Sequence, residues 1–194
     1  MPLTKFDVCS NALMAIGADT ITDFAGGSTE SAVASQLYQT TIDNWLTLYD
    51  WRFASKQAQL SRLNDTPIQL WDAVYQAPAG IIKMKGVFVN DRPIEYDRYQ
   101  DKIYCNAVST DVVVADFVWS VGVEYWPPYF VMLAELALMK RFSFALAGKL
   151  DLKATVDADL EQQFQLSKNA DSRQQTTKRI DMSRRGSIVE ARRS

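Results

Sequence analysis

A long amphipathic helix that ends at a tryptophan, with short β-compatible runs after it, most constrains the fold. Its apolar stripe repeats at steps of three and four residues: Ala34, Tyr38, Ile42, Trp45 and Tyr49. The helix stops near Asp50, and Trp51-Arg52-Phe53 leads into residues 54–60. A second β-compatible run covers residues 70–78. The sequence therefore predicts a helix that enters a strand pair.

Three more helices are predicted from the same spacing and from end signals. Gly17 ends the first helix, Ser28 or Thr29 caps the long one, and Pro127-Pro128 opens the third. The predicted helices cover about residues 3–16, 29–50, 128–147 and 150–172.

The β-rich part is predicted at about residues 54–119, where short runs alternate with turn signals. The run 87–89, the turn Asn90-Asp91 and the run 94–96 predict a hairpin. Residues 112–118 are too continuously apolar for a solvated edge strand, so one face of the sheet should pack on the helices.

These elements predict an α+β fold that is mainly α, in one domain covering residues 1–176. It would be a helical bundle with a small, largely antiparallel β-sheet inserted between the second and third long helices. Residues 177–194 form an extended basic C-terminal arm in this prediction, because no apolar stripe there can bury a face.

Composition excludes several function classes. The chain has no histidine, which argues against triad hydrolases and zinc enzymes, and we expect no catalytic, cofactor-binding or metal-binding residues.

Cys9 and Cys105 lie in unrelated segments and should be buried free thiols. The apolar run around residues 130–138 is interrupted by Glu135, short of the ~20 residues that span a bilayer. The N-terminus lacks the pattern of a secretory signal, so we expect synthesis in the cytoplasm.

The arm differs in charge from the rest of the chain. It has six basic and two acidic residues, a net charge of +4, whereas residues 1–176 have 15 basic and 21 acidic residues, a net charge of −6. Three interpretations of the arm stay open: a terminus without a binding partner, a segment that contacts a partner protein, and a segment that binds nucleic acid. The candidate contact residues are Lys178, Arg179, Ile180, Met182, Arg184, Arg185, Ile188, Arg192 and Arg193.

The order of these motifs resembles the head-to-tail adaptor (connector) family of tailed bacteriophages, which includes tail tubular protein A. The likeness covers roughly residues 3–170. It rests on residues 11–17 in the first helix, the Trp51-Arg52-Phe53 junction, residues 70–78 and residues 134–138 after the sheet. None of these motifs is catalytic, so the likeness rests on their order.

The resemblance implies a structural virion protein of the neck. Such adaptors form a ring, usually of about twelve copies, between the portal protein ring and the tail nozzle or tail tube protein. DNA passes through the lumen during genome ejection without sequence-specific binding. C-terminal segments of adaptors often reach the portal, which would give the arm its partner. We expect an isolated protomer to be a monomer, without enzyme activity or membrane association.

Two alternatives are a DNA-binding packaging factor that uses the arm and a peptidoglycan-cleaving tail component. The second needs two carboxylates in one cleft, and Glu95, Glu124 and Glu135 are the candidates. Trp45, Tyr49 and Trp51 could also stack bases, but few basic residues accompany them. Arg92, Arg98 and Lys102 are expected to be charged loop positions.

Overall fold

The computed structural model describes residues 3–67, 70–147 and 153–174. Its four α-helices are α1 (Lys5–Ala15), α2 (Thr29–Leu48), α3 (Pro128–Phe142) and α4 (Lys153–Ser172). A π-helical turn, Ser143–Ala147, continues α3, and a 3₁₀ turn, Val123–Tyr125, precedes it. Each predicted helix is confirmed within its described range.

Side chains fix the beginnings of the first two helices. Thr4 and Asp7 form a reciprocal capping box on α1, in which the Thr4 backbone N–H donates to Asp7 Oδ2 at 2.8 Å. Ser28 Oγ accepts the backbone N–H of Ser31 at 3.1 Å and caps α2. Pro128 occupies the first turn of α3, where its missing N–H costs nothing.

The third helix is the centre of the helical part. It packs against α1, α2 and α4, and its side chains at Phe130, Leu133, Leu138 and Phe142 are fully buried. This explains why α3 is apolar over so much of its circumference.

Seven strands form two antiparallel sheets. The four-stranded sheet has the order β1-β7-β3-β4 and the three-stranded sheet the order β2-β6-β5. The strands are β1 (Ser55–Gln59), β2 (Ala73–Gln76), β3 (Ile81–Val89), β4 (Arg92–Ile94), β5 (Tyr96–Tyr99), β6 (Lys102–Cys105) and β7 (Val113–Trp119).

The two sheets share a core of their own. Val87, Ala115 and Phe117 from the four-stranded sheet are buried together with Tyr75 and Ile103 from the three-stranded sheet. The β-rich part is thus a small sandwich, since the inner faces of both sheets meet in one apolar cluster. The predicted fold class is therefore wrong: the chain is not a helical bundle with one small inserted sheet, but four helices with two antiparallel sheets.

Two local predictions in the β-rich part are confirmed. β3 and β4 form the predicted hairpin, with Val89 paired to Arg92 and with Asn90 and Asp91 at φ 49° and 62°. Positive φ at both central residues gives the turn the twist that a two-residue hairpin needs. β7 lies inside its sheet, between β1 and β3, as its continuous apolar run predicts.

The helices cover one end of the four-stranded sheet. Val118 of β7 belongs to the helical core, together with Trp51 and Phe130, while its neighbour Phe117 belongs to the sandwich core. Successive residues of a strand point to opposite faces, so β7 contributes to both cores. The expected packing of one sheet face on the helices is confirmed.

Among the described residues, no helix is long and apolar enough to cross a bilayer. The predicted arm, residues 177–194, lies outside the described residues, as does the predicted end of the third helix at Gly148.

Candidate functional site

A fully buried carboxylate, Asp171, holds the end of α4 on the junction between helices and sheet. Its two oxygens each accept the backbone N–H of Arg52 at 3.1 Å, and Oδ1 also accepts the hydroxyl of Tyr129 at 2.8 Å. Hydrogen bonds to a charged acceptor are stronger than neutral ones. Asp171 thus joins α4, α3 and the residues that follow α2.

Tyr129 adds further bonds to α4. Its backbone oxygen accepts Ser167 Oγ at 2.9 Å and Gln163 Nε2 at 3.2 Å, and its hydroxyl accepts Gln174 Nε2 at 3.4 Å. Burial raises the pKa of the Tyr129 hydroxyl, and its hydrogen bond to Asp171 raises that pKa further. The hydroxyl therefore stays protonated and keeps donating to Asp171.

Trp51 is the apolar centre of the same junction. Its side chain is fully buried, and its ring lies 5.1 Å from that of Phe130 and 5.0 Å from that of Tyr49. The indole N–H donates to the backbone oxygen of Trp45 at 2.8 Å, so its one polar atom is satisfied. The base-stacking alternative is wrong for Trp51, because a buried ring offers no face to a base.

These contacts hold the last described residues of the chain on the body. Gln174 is the last residue described before the arm, and the arm is predicted to begin three residues later, at residue 177. None of the nine candidate contact residues of the arm lies within the described residues, so their role stays a prediction.

Asp171 is the residue that sequence reasoning missed. The apolar stripe that predicts the fourth helix includes Val156, Leu160 and Phe164. Ser167 and Asp171 continue this stripe at steps of three and four, and both are fully buried. A carboxylate on the apolar side of a helix was the available signal, because such a group needs hydrogen-bond partners.

The three candidate carboxylates of a glycosidase lie on separate elements. Glu95 is exposed between β4 and β5, Glu124 is exposed on the 3₁₀ turn, and Glu135 is on α3. Glu124 and Glu135 line different cavities. The paired arrangement that this alternative requires is not formed among them.

The basic residues near the sheet have acidic or backbone partners. Lys102 pairs with Asp65 at 2.7 Å, Lys85 pairs with Asp116 at 3.2 Å, and Arg98 Nε donates to the backbone oxygen of Gln100 at 3.2 Å. Arg92 is exposed on β4 and has no partner of this kind among the residues that the structure describes. The prediction of loop positions for Arg92, Arg98 and Lys102 is wrong, because the three residues lie on β4, β5 and β6. An exposed ion pair such as Lys102–Asp65 contributes little to stability. Over the described ranges, no three or more His, Cys, Asp or Glu side chains are grouped to hold a metal ion.

Both cysteines are fully buried free thiols, which confirms the prediction from sequence. Burial raises the pKa of Cys9 to about 12 and that of Cys105 to about 11. The thiolate is the reactive form, so both residues should be inert in the native protein.

We therefore expect Ellman's reagent at pH 8 to label fewer than about 0.1 thiols per native chain within minutes. In concentrated guanidinium chloride both thiols should react. Ser35→Cys, at an exposed position of α2, is the control that should react at once. Rapid labelling of the native wild-type chain would contradict the burial of these residues.

No protein-family model matches the chain, and no curated protein matches it.

Proposed function

We propose that this chain is a head-to-tail adaptor of a tailed bacteriophage, a structural protein that forms a ring between the portal and the tail. The observation that carries the proposal is the anchoring of α4 by Asp171, because it holds the last described helix on the body six residues before the predicted arm. A contact segment transmits force to its own subunit only if its base is held. The virion, at the neck, is the location that follows.

Two of the motifs that carry the family resemblance contact each other, and a third lies in the buried junction, which supports the proposal. Asn11 of the first motif donates through Nδ2 to Glu135 Oε1 of the last motif at 2.7 Å. The Trp51-Arg52-Phe53 junction binds Asp171 and packs on Phe130. Residues 73–76, within the motif at residues 70–78, form strand β2, in which Ala73, Val74 and Tyr75 are buried.

The charge of the body agrees with a channel for DNA. Residues 1–176 have a net charge of −6. A negatively charged lumen repels phosphates and lets the duplex slide, whereas a basic lining would hold it. Many copies in a ring also let weak contacts between subunits add up, so the isolated protomer need not associate.

The first test is light scattering after size-exclusion chromatography, with the chain alone and mixed with the portal ring of the same phage. We expect a monomer alone and a ring of copies on the portal. Deleting residues 177–194 should abolish portal binding, because the arm makes the contact. A matched variant with the six basic residues of the arm changed to glutamine separates the role of charge from that of length.

Two outcomes would contradict the proposal. One is a chain that ignores the portal ring at every concentration tested. The other is binding to duplex DNA that falls steeply with salt and disappears with the arm, which is the behaviour of a packaging factor.

A further inference from the structure

The negative charge of the body lies at its N-terminal end. Between Lys5 and Arg52 the chain has six acidic residues and no basic one, so residues 1–51 have a net charge of −5. The arm, residues 177–194, has a net charge of +4. These two parts of the chain therefore have opposite net charge, although α1 itself is neutral, with one basic residue (Lys5) and one acidic residue (Asp7).

A groove between α1 and α3 offers an apolar surface with one carboxylate. It encloses about 190 Å³ and is lined by Asn11 and Ala15 of α1 and by Met132, Glu135, Leu136 and Met139 of α3. Met132 is 56% exposed, and Met14, which precedes Ala15 on α1, is 55% exposed. Methionine side chains adapt to irregular partners, which suits a segment without its own regular structure.

The groove lining has one charged side chain, Glu135, and this carboxylate is held in place. Asn11 Nδ2 donates to its Oε1 at 2.7 Å, and the other oxygen has no hydrogen-bond partner within the described part of the chain. An arginine forms paired hydrogen bonds with such a carboxylate. The arm alternates arginines with Ile180, Met182 and Ile188, which fits an apolar groove with one acid.

The groove is within reach of the arm of the same chain. Gln174 donates to the hydroxyl of Tyr129, which lies in the first turn of α3. Glu135 is six residues further along this helix, which is ~9 Å along its axis and about a third of a turn around it, so the path over the helix surface is roughly 14 Å. An extended chain advances ~3.3 Å per residue, so about six residues after Gln174 cover roughly 20 Å. Residues near Ile180 can therefore reach the groove.

We infer that residues 177–194 bind in the α1–α3 groove of their own chain. Apolar residues of the arm contact Ala15, Met132 and Met139, and an arginine pairs with Glu135. The same chain is the occupant because a tethered segment has a local concentration in the millimolar range, which a second copy in dilute solution does not reach. This inference concerns the isolated chain and does not depend on the proposed function.

Limited digestion of the full chain with trypsin tests the inference, because the arm has six cleavage sites. Glu135→Lys should speed the loss of the arm about tenfold, since it replaces an ion pair by repulsion and raises the undocked population. Glu124→Lys, the same change at an exposed glutamate on the 3₁₀ turn, should leave the rate of arm loss unchanged. Circular dichroism confirms that each variant is folded.

A photo-crosslinking side chain at position 132 gives a second readout that does not depend on charge. We expect a crosslink to residues 177–194 within one chain. Arm loss at the wild-type rate in Glu135→Lys would overturn the inference. Crosslinks that join two chains, or that reach only other parts of the body, would overturn it as well.

Discussion

Replacing Trp51 by alanine should lower the free energy of unfolding by about 3–5 kcal/mol, the range for deletion of a buried large aromatic side chain. Trp51 is fully buried and contacts the rings of Tyr49, Phe53, Phe130 and Phe164. Alanine leaves a cavity where three helices and the sheet meet. Chemical denaturation followed by circular dichroism measures the loss.

Two further variants separate the causes of this loss. Trp51→Phe keeps most of the packing but removes the indole hydrogen bond to Trp45, and should cost about 1–2 kcal/mol. Tyr125→Ala, at a side chain that is 65% exposed, is the control and should change stability by less than about 0.5 kcal/mol. Equal losses for Trp51→Ala and Tyr125→Ala would show that the junction is not the centre of the core.

Replacing Asp171 by asparagine should cost about 2–3 kcal/mol, although the side chain keeps its size. The carboxylate accepts from the Arg52 N–H and the Tyr129 hydroxyl. An amide has one acceptor oxygen and places an N–H₂ group against at least one of these donors. A buried N–H group then has neither water nor an acceptor, which lowers the free energy of unfolding.

Asp159→Asn, on the exposed face of the same helix, is the matched control and should be within about 0.5 kcal/mol of the wild-type chain. Asp171→Asn should also release the end of α4, which is visible as faster amide hydrogen exchange near residue 171. If Asp171→Asn unfolds at the same denaturant concentration as Asp159→Asn, the anchor is not a stabilising contact.

The helices and one hairpin were predictable because their signals are local. Four stripes at steps of three and four residues mark the helices, and Asn90-Asp91 marks the turn between β3 and β4. The continuous apolar run of β7 also predicted its interior place in a sheet.

The second sheet was not predictable in the same way. β5 and β6 have four residues each and are joined by a tight turn in which Gln100 has φ 57°. Charged residues such as Asp97 and Arg98 interrupt β5. The alternation of apolar and polar residues is therefore too short to distinguish these strands from loops. β6 also pairs with β2, which is distant in sequence, so the sheet as a whole depends on a pairing that no local pattern indicates.

The candidate site was only partly predictable for a related reason. The Trp51-Arg52-Phe53 junction was recognised because it ends an amphipathic helix, but its partner Asp171 is 119 residues away along the chain. No local pattern links the two. A polar residue on an apolar stripe signals that a partner exists, yet it does not identify that partner.

The position of β7 between two cores has a consequence for how the helices and the sandwich can move relative to each other. Phe117 and Val118 point to opposite sides of one strand, into the sandwich and into the helical core. Rotation of the sandwich against the helices would require one of these two side chains to leave its core. We therefore expect a displacement of the end of α4 to pass through Asp171 and the backbone of Arg52 to the helical core and β7, so that the two cores move together.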